Sequence, residues 1–503
     1  VAAHDTFDCD VAIVGLGPVG AFMANLLDEA GLAVIAIDRE PDILPIPRAV
    51  GIDGEIMRVV QAVGLTDELE PLLKVFRGTE YRDVDGNVVT TRPGVAGEGT
   101  QAWPDRYNVH QPDLEGVLRD GLARRGVTLL LEHEVIDVLQ DDEAATVVAT
   151  DIRAGEERRL RARYVIGCDG GRSIVRRTMG AELEDFGLNQ PWIVADFAID
   201  DTADLPGVNV HFADAEAPII YINVVRNLRR FEFRARPDED LDRAVEPELL
   251  WKRVERWITP DNAELLRAAV YTHRSLVSRT WWSGRLLLAG DAAHQTPPFL
   301  GQGLCTGVRD VSTLAWRLQA VIRDGADPSI LAGYENERAE HARFYIRTAT
   351  ALGSVLTAPE KSKLTALNQR VGREGSGTPP RLGTGAFIES DELAGTLAPQ
   401  ARLADGTRLD DTVGYRFALA MTEEFAASLD EELIARIDRA GIARVVATGD
   451  ARLWLDRLRA SAAIVRPDRY YYGIFTAVDD VVSAVDQIGA LLGTGERETS
   501  HAR

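Results

Sequence analysis

Apolar positions in residues 10–40, DVAIVGLGPVGAFMANLLDEAGLAVIAIDRE, fall into three blocks set apart by glycines. A continuous run, VAIV, gives way to glycine-spaced residues, then to apolar residues on a helical period, then to a second run, AVIAID. That pattern predicts a buried strand, a tight turn, an apolar-faced helix and a second strand, a βαβ unit. Helical periodicity returns in DLEGVLRDGLARRG (113–126), and VTLLLEHEVIDVLQ then alternates like strands. RYVIGCDGG reads as a further strand ending on glycines. Strand signals dominate residues 186–280, with IIYINVV and RRFEFRA, and predict the sheet of a second domain. The strand RLLLAGD leads into a long helix over TGVRDVSTLAWRLQAVIRDG and another through YENERAEHARFYIRTAT. REGSGTPPRLGTGA (373–386) has the composition of a linker. Past it, RVVATGD, AAIVRPDRYYYGIF and DDVVSAVDQIGALL predict a small separate α/β domain.

Composition narrows the class. At 503 residues the chain has room for two or three domains with sizeable cores. A net charge of −23 excludes a polyanion partner such as nucleic acid, which needs a basic face. Cys9, Cys168 and Cys305 are odd in number, widely spaced and without C-x-x-C, as expected of a reducing compartment. The first apolar run is broken by glycines and preceded by an acidic segment, so neither a signal peptide nor a membrane span is expected. The expected location is cytoplasmic, with no membrane association. No His, Asp, Glu or Cys spacing suggests a metal site.

Three glycine-rich motifs carry the chemistry. Gly15, Gly17 and Gly20 form G-x-G-x-x-G between the first strand and its helix. There Gly15 permits the turn, Gly17 admits a pyrophosphate to the backbone, and Gly20 allows close helix–strand packing. Asp38 follows Gly20 by 18 residues at the tip of the second strand, placed to accept from ribose hydroxyls. This predicts a dinucleotide site, NAD or FAD. The second motif, GCDGGRSIVRR, supplies Asp169, Gly170, Ser173, Arg176 and Arg177 after a strand. The third, GDAAHQTPPFLGQG (290–303), supplies Gly290 and Asp291, then two prolines and two glycines. Prolines stiffen such a loop and glycines let its backbone reach a flat partner.

In this order and spacing the three motifs resemble the single-component flavoprotein aromatic hydroxylases of the para-hydroxybenzoate hydroxylase fold. The blocks IPRAVGID, YNVHQPDLEGV, GCDGGRSIVRRTMG, NQPWIVADF, RRFEF, VYTHRSLVSR and GDAAHQTPPFLGQGLCTGVRD look like the 3-(3-hydroxyphenyl)propionate hydroxylase branch, as does IVRPDRYYYG near the end. The resemblance implies an α/β chain: a Rossmann-like FAD-binding domain (1–75, 105–185 and 280–360), an inserted sheet-based substrate domain (76–104 and 186–279), and a C-terminal thioredoxin-like domain (385–493). It implies non-covalent FAD, with the adenosine half on Gly15, Gly17, Gly20, Asp38 and the adjacent Arg39. Arg48 and Gln111 would flank the phosphate and ribityl region, with Asp169, Gly290 and Asp291 nearby. Pro298, Gly301, Gln302 and Gly303 would face the isoalloxazine.

His294 fits an orienting histidine within its motif, and Tyr221, His211, Trp281 and Trp282 are candidates for the substrate side. Cys305 stands where many relatives carry Asn, and reads as a small packed thiol. With no second strand-coupled G-x-G-x-x-G, since GREGSG sits in the linker, NADH or NADPH would visit as co-substrate. No cysteine follows Cys305, so the C-terminal domain cannot do dithiol chemistry and a structural role is expected of it. In the scheme the family implies, NAD(P)H reduces FAD, O₂ gives a C4a-hydroperoxyflavin, and a phenol attacks the distal oxygen. The expected reaction is ortho-hydroxylation of 3-(3-hydroxyphenyl)propionate or a similar phenol acid. The alternative on the same fold is a tailoring hydroxylase of a polyketide or other polycyclic aromatic, and a binding protein without turnover is a third reading. The expected partners are a small aromatic substrate and O₂; a homodimer is compatible with them.

Overall fold

A computed structural model describes residues 7–45, 48–83, 85–94, 97–214, 217–356 and 380–494. Residues 373–379 of the expected linker lie outside the described residues, as do GREGSG (372–377) and the outermost positions 1–6 and 357–360 of the expected first domain.

The two N-terminal apolar runs form strands Cys9–Val14 and Val34–Ile37, joined by helix Pro18–Glu29. They pair in parallel, with Val14 opposite Ile37. Glu157–Gly167 pairs in parallel on the other side, Val14 opposite Gly167, and Leu286–Leu288 lies beyond it with Leu288 opposite Gly167. Thr128–Leu130 closes the far edge, again in parallel. Because these strands share one direction and register, the residues that follow them emerge together: Gly15, Asp38, Asp169 and Asp291. Open parallel sheets bind ligands there, beyond the carboxyl ends of the strands. Val11, Ile13, Ile166 and Leu287 are fully buried, as strands covered on both faces must be. The alternating segment VTLLLEHEVIDVLQ forms two strands. Glu132, at φ 57°, turns the chain between Thr128–Leu130 and His133–Gln140, and the latter joins an antiparallel hairpin with Ala145–Asp151.

A second eight-stranded sheet runs in the order His294–Gln295, Ala263–Ser278, Leu183–Ile199, Leu228–Arg234, Ile219–Asn223, Asn209–Phe212, Gly78–Arg82, Val88–Pro93. Successive side chains alternate between its faces. One face, with Phe197, Tyr221, Phe231 and Phe233, packs beneath Leu250 and Val254 of helix Pro247–Val254. The other, with Tyr81, Trp192, Ile220 and Ile222, meets Phe299 and Leu300, and Tyr345, Ala349 and Leu352 of helix Ile330–Leu356. The motif GDAAHQTPPFLGQG therefore straps the two sheets together. It leaves the first after Leu288, pairs with the second through His294 and Gln295, and ends at helix Gly303–Gln319.

At the C-terminal end, Ala418–Met421 pairs in parallel with Ala443–Val446 and antiparallel with Ala462–Val465, which pairs antiparallel with Tyr471–Phe475. That is the strand order of a thioredoxin-like sheet. The domain has a core of its own, with Ala420, Val445, Leu455 and Ala463, and also packs on the first domain: Trp316 lies edge-on to Phe417 with ring centroids 5.5 Å apart, in a core cluster that spans both. Apolar periodicity shows that a face is buried without showing what buries it. Buried ion pairs lock the junction. Arg58 holds Asp410 through two bonds of 2.7 and 2.9 Å, and Glu337 accepts from Arg317 at 2.6 Å and from Arg466 at 2.7 Å. Removing one partner of such a pair costs about 3–5 kcal/mol, because the other charge stays buried.

Candidate cofactor and substrate site

The glycine turn shows what each glycine is for. A Cβ on Gly20 would overlap the Gly15 carbonyl oxygen, and one on Gly15, at φ 93°, would strike the Cys168 backbone. A Cβ on Gly17 would meet nothing within 4 Å. So Gly15 and Gly20 are demanded by packing, whereas the space at Gly17 is open. Helix Pro18–Glu29 begins there with no side-chain cap and no acid in its first turn. Helix Gly303–Gln319 begins in the same way. Uncapped helix starts present free N–H groups and a positive dipole end to an anion.

Around this turn the polar groups converge. Asp38 accepts from Leu16 N at 2.6 Å and from Glu40 N at 2.9 Å, which holds its carboxylate beside the glycine turn. Gln111 Oε1 accepts from the backbone N–H groups of Arg48 and Ala49 at 3.1 and 2.7 Å, while the Arg48 side chain is exposed. Arg39 is exposed and pairs with Glu40 at 3.2 Å. Sequence reasoning missed Arg119: from helix Gln111–Arg125 its Nη2 reaches the Leu16 carbonyl at 3.2 Å, and its buried Nε has no partner. Its place two turns along from Gln111 was the available signal. Asp169 accepts from Ile174 N at 2.6 Å, bracing the second motif, and burial raises its pKa. Its Oδ1 is buried without a partner. Asp291 is exposed at the strand end, next to Gly290 at φ 62°. An open glycine turn, two uncapped helix starts and orphaned polar atoms on Arg119 and Asp169 are a donor and acceptor set that fits a dinucleotide.

Inside the third motif, His294 faces inward. Its Nε2 lies 2.7 Å from Asp310 Oδ2, and its ring stacks on Trp281 with centroids 5.4 Å apart. Asp310 also accepts from Gly290 N at 3.1 Å and from Arg338 Nε at 3.0 Å. His294 is 1% exposed, so it orders the motif rather than reaching into open space. Pro298 is exposed, and Gly301 takes φ 61° with Arg106 directly against it. The Gln302 side chain turns back to Arg309 and Asp53. Cys305 is fully buried, 3.9 Å from the Gly51 carbonyl, and burial pushes its thiol pKa well up. That is a packed thiol.

On the substrate side the structure rearranges the candidates. Tyr221 sits on the far face of the second sheet, with its hydroxyl donating to Pro206 O at 3.0 Å and its ring on Phe231. Its neighbours Ile220 and Ile222 face the loop instead, because side chains alternate along a strand. Trp281 and Trp282 donate their indole N–H groups to Ser278 O and Gly284 O, beside the first sheet. Of the four candidates only His211 lies on the loop-facing side, with its ring edge-on to Tyr81 at 5.1 Å. Burial, with Arg92 and Arg106 nearby, lowers its pKa to about 4.

The remaining groups on this face had no motif to mark them. His273 stacks on Trp192 at 5.5 Å and meets Phe299 of the loop edge-on at 5.9 Å; burial lowers its pKa to about 3. Glu232 is buried, and its pKa rises to about 6 by burial, against the pull of Arg230. Trp192 Nε1, His211 Nδ1, His273 Nδ1 and Arg106 Nε are buried and unpartnered among the described residues. Arg106 Nη1 donates to Leu300 O at 3.0 Å. Arg92, opposite Thr79 and so on the Tyr81 side of its strand pair, has its pKa lowered by burial and by Arg106. No ion pair of Arg92 or Arg106 with a carboxylate occurs among the described residues.

The chain is similar to known proteins in sequence and in fold. A family model described as a FAD-binding domain matches residues 8–349. The chain is 39% identical over 360 residues to a probable NADH-specific resorcinol 4-hydroxylase of Rhodococcus jostii (strain RHA1), covering 69% of this chain and 66% of that one. It is 33% identical over 437 residues to a 3-(3-hydroxy-phenyl)propionate/3-hydroxycinnamic acid hydroxylase of Mycolicibacterium gilvum (strain PYR-GCK), covering 82% and 75%. In fold it is similar to the flavin-dependent monooxygenase PieE solved with FAD and substrate, with TM-score 0.82, 20% identity and coverage of 98% and 100%. Aklavinone-11 hydroxylase, solved with FAD and aklavinone, gives TM-score 0.81 at 20% identity and coverage of 96% and 99%. No helix among the described residues is long and apolar enough to cross a membrane, and no group of three or more His, Cys, Asp or Glu there could hold a metal.

Proposed function

The chain belongs to the FAD-dependent aromatic hydroxylases, and we propose that it uses NADH or NADPH and O₂ to hydroxylate a phenol that bears a short acid side chain, ortho to the hydroxyl. 3-(3-Hydroxyphenyl)propionate is the model substrate. FAD, when bound, supplies hydride acceptance from the nicotinamide and activation of O₂. Gly15, Gly17, Gly20, Asp38 and Arg119 are proposed to hold its adenosine half, and Gln111, Asp169, Gly290 and Asp291 its central part. Pro298, Gly301, Gln302 and Gly303 present backbone to the flavin ring. Trp192, Phe299 and Leu300 keep water from the space above the loop, which a reactive oxygen species requires.

The observation that carries the acid reading is the arginine pair. Arg92 and Arg106 neighbour each other beside Tyr81 and His211, at the loop, with no carboxylate pairing among the described residues. Two like charges partly out of water repel, and a substrate carboxylate relieves that repulsion. His211 and His273 stay neutral at pH 7, so the cations are not reinforced by imidazolium. The unpartnered Nδ1 of His273, on the ring that touches Phe299, is the proposed acceptor of a hydrogen bond from the phenol.

NADH and NADPH oxidation should rise several-fold on adding the phenol acid, with the catechol as product and H₂O₂ as a minor leak. Arg92→Gln should raise KM for the acid and leave KM for neutral resorcinol unchanged. A response to resorcinol but not to the acid overturns the acid reading. A response only to polycyclic aromatics makes the enzyme a tailoring hydroxylase. Basal oxidation with every phenol tried removes the hydroxylase reading. Separately, Asp291→Ala should lose FAD on dialysis; full flavin occupancy would remove Asp291 from the site.

A further inference from the structure

A chain of hydrogen bonds reaches the third motif from the C-terminal domain. Tyr470, immediately before strand Tyr471–Phe475, is buried, and its hydroxyl donates to Glu55 Oε1 at 2.9 Å. Glu55 Oε2 accepts from Arg309 Nε at 2.6 Å. Arg309 then divides its remaining nitrogens: Nη1 donates to Gln302 Oε1 at 2.9 Å and Nη2 to Asp53 Oδ2 at 2.5 Å. Gln302 Nε2 closes the ring onto the same Asp53 oxygen at 3.3 Å. Gln302 is both the last residue of the proline–glycine loop and the N-cap of helix Gly303–Gln319.

We propose that Tyr470 is a positioning residue for the bound flavin: through Glu55 and Arg309 the C-terminal domain sets Gln302, and with it the loop that the flavin rests on. The proposal rests on the reading that this loop faces the isoalloxazine.

The physics favours a coupled unit over independent contacts. Burial opposes the Arg309 charge, yet the Asp53 and Glu55 carboxylates more than offset it and hold its pKa well above the ordinary value. Burial and the Glu55 carboxylate keep the Tyr470 hydroxyl protonated, so it donates at any working pH. Each of the three arginine nitrogens donates to a different acceptor, Glu55, Gln302 and Asp53, so the guanidinium cannot turn further onto Glu55 without disturbing the other two bonds. Deleting the tyrosine hydroxyl would leave Glu55 Oε1 without that donor in a buried place. The nearest repair is for Arg309 to turn toward Glu55, which releases Gln302. Gln302 is the N-cap from which the helix and its first free N–H groups begin at Gly303, so a shift of Gln302 changes the field at the flavin. The missing cysteines exclude dithiol chemistry from this domain; they leave room for this electrostatic role.

The test uses FAD-loaded full-length protein and three variants. Tyr470→Phe removes one hydroxyl from the relay. Tyr472→Phe, whose hydroxyl donates to Gln487 Oε1 at 3.0 Å in the same domain, removes an equivalent bond off the relay. Glu55→Gln alters the middle of the relay and decides the matter if Tyr470→Phe does not fold. Tyr470→Phe should shift the visible flavin spectrum and midpoint potential. It should also slow anaerobic reduction by NADH about five-fold, the fold-change that a hydrogen bond of about 1 kcal/mol corresponds to. KM for the phenol should stay the same, and Tyr472→Phe should match wild type in all flavin readouts. If Tyr470→Phe and Glu55→Gln also match wild type in spectrum and potential, whatever their thermal stability, the relay does not exist. Wild type that responds to no phenol would fail the hydroxylase reading, and spectrum and potential would still decide the relay.

Discussion

The two faces of the second sheet are built from the same strands and could hardly differ more in how they treat polar atoms. Beneath helix Pro247–Val254, the rings of Phe197, Phe231, Trp251 and Trp257 interlock at 5.2–5.8 Å, and the one hydroxyl among them, on Tyr221, finds Pro206 O. Toward the loop, Trp192, His211 and His273 are equally ring-rich, yet each leaves a buried nitrogen without a partner. Folding alone has no reason to tolerate that, since an unmade buried hydrogen bond costs about 1–3 kcal/mol. The aromatic cluster of one face is finished by the chain itself, with Arg229 Nε at its edge left over among the described residues. The other is left for a ligand to finish.

That difference can be broken or sharpened by substitution. The largest effect is expected on the finished face: Phe231→Ala should cost about 3–5 kcal/mol through lost burial and a cavity. Flavin content and phenol response per folded molecule should be unchanged, and a selective loss of phenol response would place this face in the site.

The loop-facing side should instead show itself in acid. His211 has its pKa lowered to about 4 in the folded chain, from an ordinary value of 6.5, so the unfolded chain binds the proton first. Stability is therefore full above pH 6.5 and falls as pH drops toward 4, by at most about 1.4 kcal/mol per pH unit. Thermal unfolding of wild type and His211→Gln at pH 7, 6 and 5 should show the slope shrink in the variant; equal slopes would mean that His211 is not the titrating group.

Smaller still, Tyr221→Phe removes a satisfied hydroxyl and should cost about 1 kcal/mol with no change in KM. Trp192→Phe removes an unsatisfied N–H along with some ring volume, so stability should stay within about 1 kcal/mol while KM for the phenol moves. A change in KM for Tyr221→Phe and none for Trp192→Phe would invert the comparison.

These two tryptophan and tyrosine positions also show where reading a sequence runs out. Tyr221 and Ile220 are neighbours in a strand signal, and nothing in IIYINVV states which of the two alternating sets faces the loop. The register against His211 on one side and Glu232 on the other decides it. Trp281 was a candidate by residue type and Trp192 was not, yet Trp281 lies against His294 and Tyr334 beside the first sheet.

What the sequence determined by itself is local. The spacing of Gly15, Gly17 and Gly20 specifies a strand–turn–helix, because the turn needs the positive φ of Gly15 and the helix that follows sets Gly20 against the Gly15 carbonyl, five residues away. Asp38 is placed by the length of one helix and one strand. The prolines and glycines of 297–303 likewise shape their own loop. Only the tertiary structure decided which residues of different elements meet: Arg92 with Arg106, His273 with Phe299, and Tyr470 with Glu55, 415 residues apart. Backbone propensity and glycine sterics act over a few residues and leave a pattern in the chain. A buried charge or an unpaired nitrogen takes its meaning from neighbours that sheet order and domain docking supply, and those depend on the sum of many weak contacts.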